Sequence, residues 1–286
     1  MGESVEIVEM GPRDGLQNEA RIISVAGKVA LVDALSSVGF RRIEVASFVS
    51  PRWVPQMAGS GEVMAGIARV NGVRYGALVP NVRGFEAAMR ANVDEVAVFA
   101  SASEGFSRAN INASIAESLE RFQPVMKMAK GLRVPVRGYV SCVTDCPYDG
   151  AVAPEAVAAV ASDLRDIGCF EVSLGDTLGR GLPERMDAMF AAVLERVEVE
   201  ALAGHFHDSF GRALENVAVA LGRGVRVFDA SVAGLGSCPY ASGAAGNVAT
   251  EGLAAFLETA GFEHSLDMER LRAAADVARG LREGVV

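Results

Sequence analysis

Long apolar runs are missing from this chain. None approaches the roughly 18 residues that a membrane-spanning helix needs, so no bilayer-crossing segment is expected. A basic surplus is missing too. The formal net charge of −9 argues against a nucleic-acid partner and against electrostatic attachment to an acidic membrane, while leaving room for a local basic patch that receives phosphates. The first residues run straight into a strand-like pattern with neither a basic n-region nor an apolar h-region, so the expected location is the cytoplasm. Cysteine is sparse: Cys142, Cys146, Cys169 and Cys238 match no zinc or redox spacing and read as free thiols, the first three structural. Aromatics make up only 6% of residues, which leaves a core of Ala- and Val-rich strands and small-residue helices.

Histidine is scarcer still, with three in 286 residues, and two of them stand together in Ala203-Gly204-His205-Phe206-His207-Asp208. On a β-strand, residues i and i+2 share a face, so both imidazoles would project together as two ligands of one metal do. A chance pair, or two structurally satisfied rings, is the competing reading. His264, in Phe262-Glu263-His264, is expected on the surface.

Short Val/Ile/Leu-rich runs alternate with helical patterns from end to end. The strand-like runs cover 5–10, 42–46, 74–79, 95–100, 134–141, 170–174, 201–207 and 225–232. Helical patterns cover 25–38, 61–70, 82–91, 114–130, 154–167, 182–196 and 211–221, with a last pair at 247–260 and 267–281. Eight alternations predict a (β/α)8 TIM barrel with additional C-terminal helices, in one domain spanning 1–286. A doubly wound sheet is the alternative α/β solution, but the turn after the first strand, Gly11-Pro12-Arg13-Asp14-Gly15, is not its usual glycine-rich one.

In a barrel, active sites form at the C-terminal ends of the strands. The polar residues fall there: Arg13, Asp14 and Gln17 after the first strand, Glu44 and Ser47 in and after the second, Ser173 and Asp176 on the sixth, and the histidines on the seventh. The eighth opens into a loop holding Cys238 and Asn247. Asp14, His205, His207 and Asn247 supply mixed N/O ligands and leave room for a chelating substrate; two histidines and a carboxylate also suit non-haem iron. Asp14 before a glycine also reads as a turn residue, and Asn247 as a helix N-cap. Arg13 would set a permanent cation beside the metal, or else form an ion pair with Glu44 or Asp176. Those two carboxylates suit supporting roles, orienting Arg13, a histidine or a water. Cys238, in a glycine-rich rim loop, suits proton donation to a carbanion; nucleophile and inert thiol are the other readings.

With these residues in place, the chain resembles the 3-hydroxy-3-methylglutaryl-CoA lyases of the barrel metallolyase superfamily. The resemblance rests on the segments that begin Val8-Glu9-Met10-Gly11-Pro12-Arg13-Asp14, Ser47-Phe48-Val49-Ser50-Pro51 and Val136-Arg137-Gly138-Tyr139. It rests too on Ser173-Leu174-Gly175-Asp176-Thr177 and Gly234-Leu235-Gly236-Ser237-Cys238-Pro239-Tyr240-Ala241. It implies a divalent Mg or Mn on Asp14, His205, His207 and Asn247, with Arg13 at the thioester carbonyl and Cys238 as proton donor. It also implies an acyl-CoA substrate cleaved to acetyl-CoA and acetoacetate, a homodimer, and a place in leucine degradation. Arg13, Gln17, Ser47 and Ser173 are the expected substrate contacts, and Glu44 and Asp176 join the catalytic set. Ala46, Ser237 and Gly59-Ser60 depart from the usual lyase residues and bear on the acyl side chain. Rival readings are a lyase for another 3-hydroxyacyl-CoA (citramalyl-CoA or a longer 3-substituted glutaryl-CoA), a Claisen-type acyltransferase, and a non-catalytic metal-binding barrel.

Overall fold

All eight strand-like runs become strands of one closed sheet in the computed structural model, which describes residues 2–236 and 246–284. They are β1 (Glu6–Glu9), β2 (Arg42–Ser47), β3 (Arg74–Leu78), β4 (Glu95–Ser101), β5 (Val136–Ser141), β6 (Glu171–Asp176), β7 (Leu202–Phe206) and β8 (Val227–Ala230). Each pairs in parallel with its sequence neighbour, and β1 closes the ring on β8. Parallel strands of a barrel are covered on both faces, so they read as continuous apolar runs rather than alternating ones. Accordingly, every residue of β2 and of β6 is buried.

The helices are α1 (Val25–Ser36), α2 (Ser60–Gly66), α3 (Val82–Arg90), α4 (Glu104–Ile111), α5 (Ile115–Leu132), α6 (Pro154–Asp166), α7 (Pro183–Leu194), α8 (Ala213–Gly222), α9 (Thr250–Thr259) and α10 (Met268–Glu283). Local chemistry sets their starts. Ser24 accepts from Gly27 N at 3.0 Å, Asn81 accepts from Gly84 N at 3.0 Å, and Ser114 and Glu117 form a reciprocal capping box. The additional C-terminal helix, α10, packs on α1, where a side chain at Gly27 would come within 2.7 Å of Leu281. Among the described residues, no helix is long and apolar enough to cross a membrane.

Four features differ from the sequence expectations. α4 and a small hairpin pairing Asp145–Cys146 with Gly150–Ala151 are additional; α4 buries only Phe106 and Ser107 and so shows no apolar stripe, and the hairpin strands are too short to alternate. α9 begins at Thr250 with Ala249 as its N-cap, so Asn247 lies before the helix and is not its cap. His264 is no surface residue: its side chain is 5% exposed, Nδ1 accepts from Leu266 N at 3.2 Å, and Nε2 lies 3.3 Å from Glu258.

The main apolar core lies between strands and helices, and the barrel interior is small and largely ionic at its N-terminal end. Arg42 donates to both oxygens of Glu171 at 2.8 and 3.1 Å and to Glu6 at 2.8 Å, and Arg137 donates to Glu171 at 2.6 Å. Such pairs add little net stability, but removing one partner of a buried pair costs about 3–5 kcal/mol. A thin layer of Val8, Met10, Leu78, Ala97 and Tyr139 lies above them.

Candidate active site

The site is assembled from four strand ends. After β1 the chain winds into a five-residue π-type turn, Gly11–Gly15, which carries Arg13 and Asp14. Glu9 ties this turn to the far side of the barrel closure. Its carboxylate accepts from Gly11 N at 2.7 Å, Val232 N at 2.9 Å and Thr250 Oγ1 at 2.8 Å. On β7 the i, i+2 rule holds: His205 and His207 share a face, their ring centroids 5.5 Å apart. A backbone bridge pairs His207 with Asn247, and this sets the amide beside the imidazoles.

Asp14, His205 and His207 therefore converge, with one ligand atom from each lying within 4.8 Å of the others. His205 Nε2 stands 3.7 Å and His207 Nε2 4.0 Å from Asp14 Oδ2, to which Asn247 Nδ2 donates at 2.8 Å. These donors fit a divalent cation. Asn247 Oδ1 is buried without a hydrogen-bond partner, so the amide has a hard oxygen left to give. Burial alone would raise the Asp14 carboxyl, but the Arg13 guanidinium and the two imidazoles outweigh it and hold Asp14 well below the usual carboxylate range. Burial, followed by the neighbouring His205, pushes His207 down to about 4, which leaves a neutral imidazole at neutral pH. For His205 burial works downward, but the bond to Asp229 and the Asp14 charge prevail and raise it.

The supporting residues form two chains that meet at Arg137. His205 Nδ1 faces Asp229 Oδ2 at 3.0 Å, which leaves Nε2 directed at Asp14. Asp229 is gripped in turn by Arg137 Nη1 at 2.7 Å and Ser173 Oγ at 2.8 Å. Burial would lift its carboxyl, but Arg137 and His205 bring it to about 2. On the other chain, Arg137 Nη1 donates to Tyr139 Oη at 2.9 Å and Tyr139 Oη to Glu44 Oε2 at 2.7 Å; Glu44 then accepts from Arg13 Nε. Arg13 also donates from Nη1 to Asp14 at 2.6 Å, while its Nη2 bonds to no described residue. The ion pair that Arg13 forms is thus with Glu44 and Asp14, not with Asp176.

Glu44 and Ser47, three positions apart, would face opposite ways on a regular strand. A bulge between Glu44 and Ala46 restores the parity: Glu44 pairs with Gly76 and Ser47 with Leu78, and both face inward. The same bulge turns Ala46 outward, opposite Ala77 in the helix-facing core, so the departure at 46 does not touch the site. Ser60 bonds to Ser47 O at 2.8 Å and Met57 O at 2.9 Å, a bracing role for the departure at 60.

Two expected site residues sit one step back. The Ser173 hydroxyl is engaged by Asp229 in the barrel interior, because Ser173 lies below the rim on β6. Asp176 turns its carboxylate to Gly181 N at 2.8 Å and Thr144 Oγ1 at 3.3 Å, and its carbonyl accepts from His207 N at 3.3 Å. It holds loops beside the site, and none of its bonds reaches the side chains of Asp14, His205, His207 or Asn247. Gln17 is half-buried beyond the turn. Cys238 lies outside the described residues, as does Ser237. Sequence reading missed Asp229, Arg137 and Tyr139; the available signal was a charged or polar side chain inside an otherwise apolar strand, as in Val227-Phe228-Asp229 and Val136-Arg137-Gly138-Tyr139.

The profile of the HMGL-like family matches residues 4–278. This chain belongs to the HMGL-like family. Among HMGL-like relatives, hydroxymethylglutaryl-CoA lyase of Pseudomonas mevalonii is 57% identical over 267 residues, 93% of this chain and 89% of that one. The 3-hydroxy-3-isohexenylglutaryl-CoA/hydroxy-methylglutaryl-CoA lyase of Pseudomonas aeruginosa is 56% identical over 269 residues, 94% of this chain and 90% of that one. The crystal structure of the HMG-CoA lyase from Brucella melitensis superposes with a TM-score of 0.97 at 58% identity, covering 98% of this chain and 99% of that one. The HMGL-like barrel is thus shared across the whole described chain.

The Asp229 bridge makes one expectation measurable. Asp229→Asn should lower the apparent affinity for Mg about 10–100-fold, the usual effect of losing a ligand-orienting carboxylate. Excess Mg should restore part of the turnover. An unchanged Mg titration would show that His205 needs no help from Asp229.

Proposed function

We propose that the chain cleaves 3-hydroxy-3-methylglutaryl-CoA into acetyl-CoA and acetoacetate, with a divalent Mg or Mn held by Asp14, His205, His207 and Asn247. The observation that carries the reading is the convergence of these ligands on one rim with Arg13, whose Nη2 bonds to no described residue. Membership of the family supports the substrate class.

When bound, the ion supplies Lewis acidity that eases loss of the proton from the substrate's tertiary hydroxyl. Asp14, anionic far below neutral pH, serves as a ligand rather than as a proton acceptor, and the hydroxyl proton passes to a water beside the histidine pair. As the bond between C2 and C3 breaks, its electron pair moves onto the acetyl thioester and the hydroxyl carbon becomes a ketone. Arg13, held by Glu44, stabilises the charge that grows on the thioester oxygen. Cys238, two residues along the chain from Gly236, returns a proton to the enolate carbon. Gln17 and Ser47 contact the substrate, Ser47 through a buried Oγ that has no hydrogen-bond partner. Ser173 acts through Asp229, and Asp176 through the loops it holds.

The same reading takes residues 1–286 as one barrel domain that works as a cytoplasmic homodimer. The buried free thiols of Cys142, Cys146 and Cys169 suit a reducing compartment, and Trp53, 87% exposed, offers apolar surface for a second copy to cover. The Pseudomonas aeruginosa relative, 56% identical, is named for a substrate with a longer group at C3 as well as for the methyl one, so the longer thioester belongs in the test. One experiment separates these readings: purified protein is given a panel of 3-hydroxyacyl-CoA thioesters with Mg, and acetyl-CoA release is followed before and after dialysis against chelator. The methylglutaryl thioester should be cleaved, dialysis should abolish cleavage, and Mg or Mn should restore it. Cleavage that survives metal removal would end the proposal.

A further inference from the structure

A small cavity lies in the N-terminal half of the barrel, walled by Glu44, Gly76, Glu95 and Arg137 among others, with about 10 Å³ of room for the centre of a water molecule. That is about the least room in which one buried water fits. Two buried atoms on its wall residues have no hydrogen-bond partner: Arg137 Nη2, a donor, and Glu95 Oε2, an acceptor. Arg74 Nη1 approaches Glu95 Oε2 only to 3.4 Å and makes no hydrogen bond with it. A water accepts from one atom and donates to the other, and no side chain in the wall can do both.

Gly76 explains why the space exists. Its backbone is not in the left-handed region, so conformation does not demand glycine. A Cβ added there would meet Glu95 O at 3.7 Å, Ile43 O at 3.8 Å and Glu44 Cα at 3.9 Å, all ordinary contacts, so neither does a clash. What a methyl group would take is the cavity's volume. Arg137 is also the residue whose Nη1 serves Asp229, the partner of His205, and Tyr139, the partner of Glu44.

We propose that one structural water sits between Arg137 Nη2 and Glu95 Oε2, in the room left by Gly76, and that it holds the guanidinium in the plane from which it orients both arms of the active site. Arg137 and the water are positioning groups; neither touches substrate. The water site stands apart from the lyase reading, because it is tested by diffraction rather than by turnover.

A crystal structure of the Mg-loaded protein at atomic detail should show a water within about 3.2 Å of both atoms. No density there overturns the site. For the positioning role, Gly76→Ala should expel the water, leave both atoms unpaired and lower the melting temperature by about 2–6 °C. The Mg concentration for half-activation should rise about threefold, with KM for substrate at saturating Mg unchanged. A raised melting temperature would mean that the methyl filled a dry void, and an unchanged Mg requirement would mean that the water positions nothing. Either result overturns the role, and the wild-type crystal decides the site even if the variant fails to fold.

Discussion

Asp14→Asn should lose turnover by about a thousandfold or more, at any Mg concentration within solubility. The substitution keeps the shape and removes the charge. Among the described residues that carboxylate is the one anion near both Nε2 atoms of the imidazoles, at 3.7 and 4.0 Å, and it also accepts from Arg13 and Asn247. Lewis-acid stabilisation by a bound ion is worth several kcal/mol, and each 1.4 kcal/mol or so is a factor of ten in rate. A loss of this size therefore follows if Asp14 holds the ion. Arg13 would still be held by Glu44, so the fold should tolerate the change, and a thermal melt would verify that. Turnover within tenfold of wild type would remove Asp14 from the metal site.

Cys238→Ala should keep acyl-CoA binding while turnover falls by at least ~100-fold, the size of a lost general acid. The other proton carriers among the described residues of the site are engaged or in the wrong protonation state. His205 is committed to Asp229 and directed at Asp14, His207 is a neutral imidazole beside it, and Asp14 is too weak a base to carry a proton at neutral pH. Tyr139 is engaged by Glu44 and Arg137 in the interior, and burial pushes its phenol well above the ordinary range. A thiol with an unperturbed pKa of about 8.5 is protonated at neutral pH and so has a proton to give. Mg binding should be untouched in this variant, which separates it from Asp14→Asn. Near-normal turnover would return the proton-donor role to water or another residue.

Much of the fold was legible because a barrel repeats a local unit. Each strand is a short apolar run and each helix a patterned stretch with a cap, and both signals lie within a dozen residues of sequence. The shared face of His205 and His207 was equally local, a consequence of strand parity. α4 was missed because it buries only Phe106 and Ser107 and shows no apolar stripe, and the hairpin after β5 because its strands are too short to alternate.

What the sequence determined by itself was the number and order of the barrel strands, the rim to which the reactive residues map and the candidate ligand types gathered there. What only the tertiary structure decided was which groups touch. Glu44 and Ser47 share a face because of a bulge that strand parity forbids one to assume. Asp229, 24 positions from His205, reaches it because β7 and β8 are neighbours in the closed ring. Arg137, 92 positions from Asp229, reaches it across the barrel interior. The ligand set follows from local chemistry. The hydrogen-bonded support beneath it follows from barrel closure, which brings distant strands within reach in a way that no local pattern encodes.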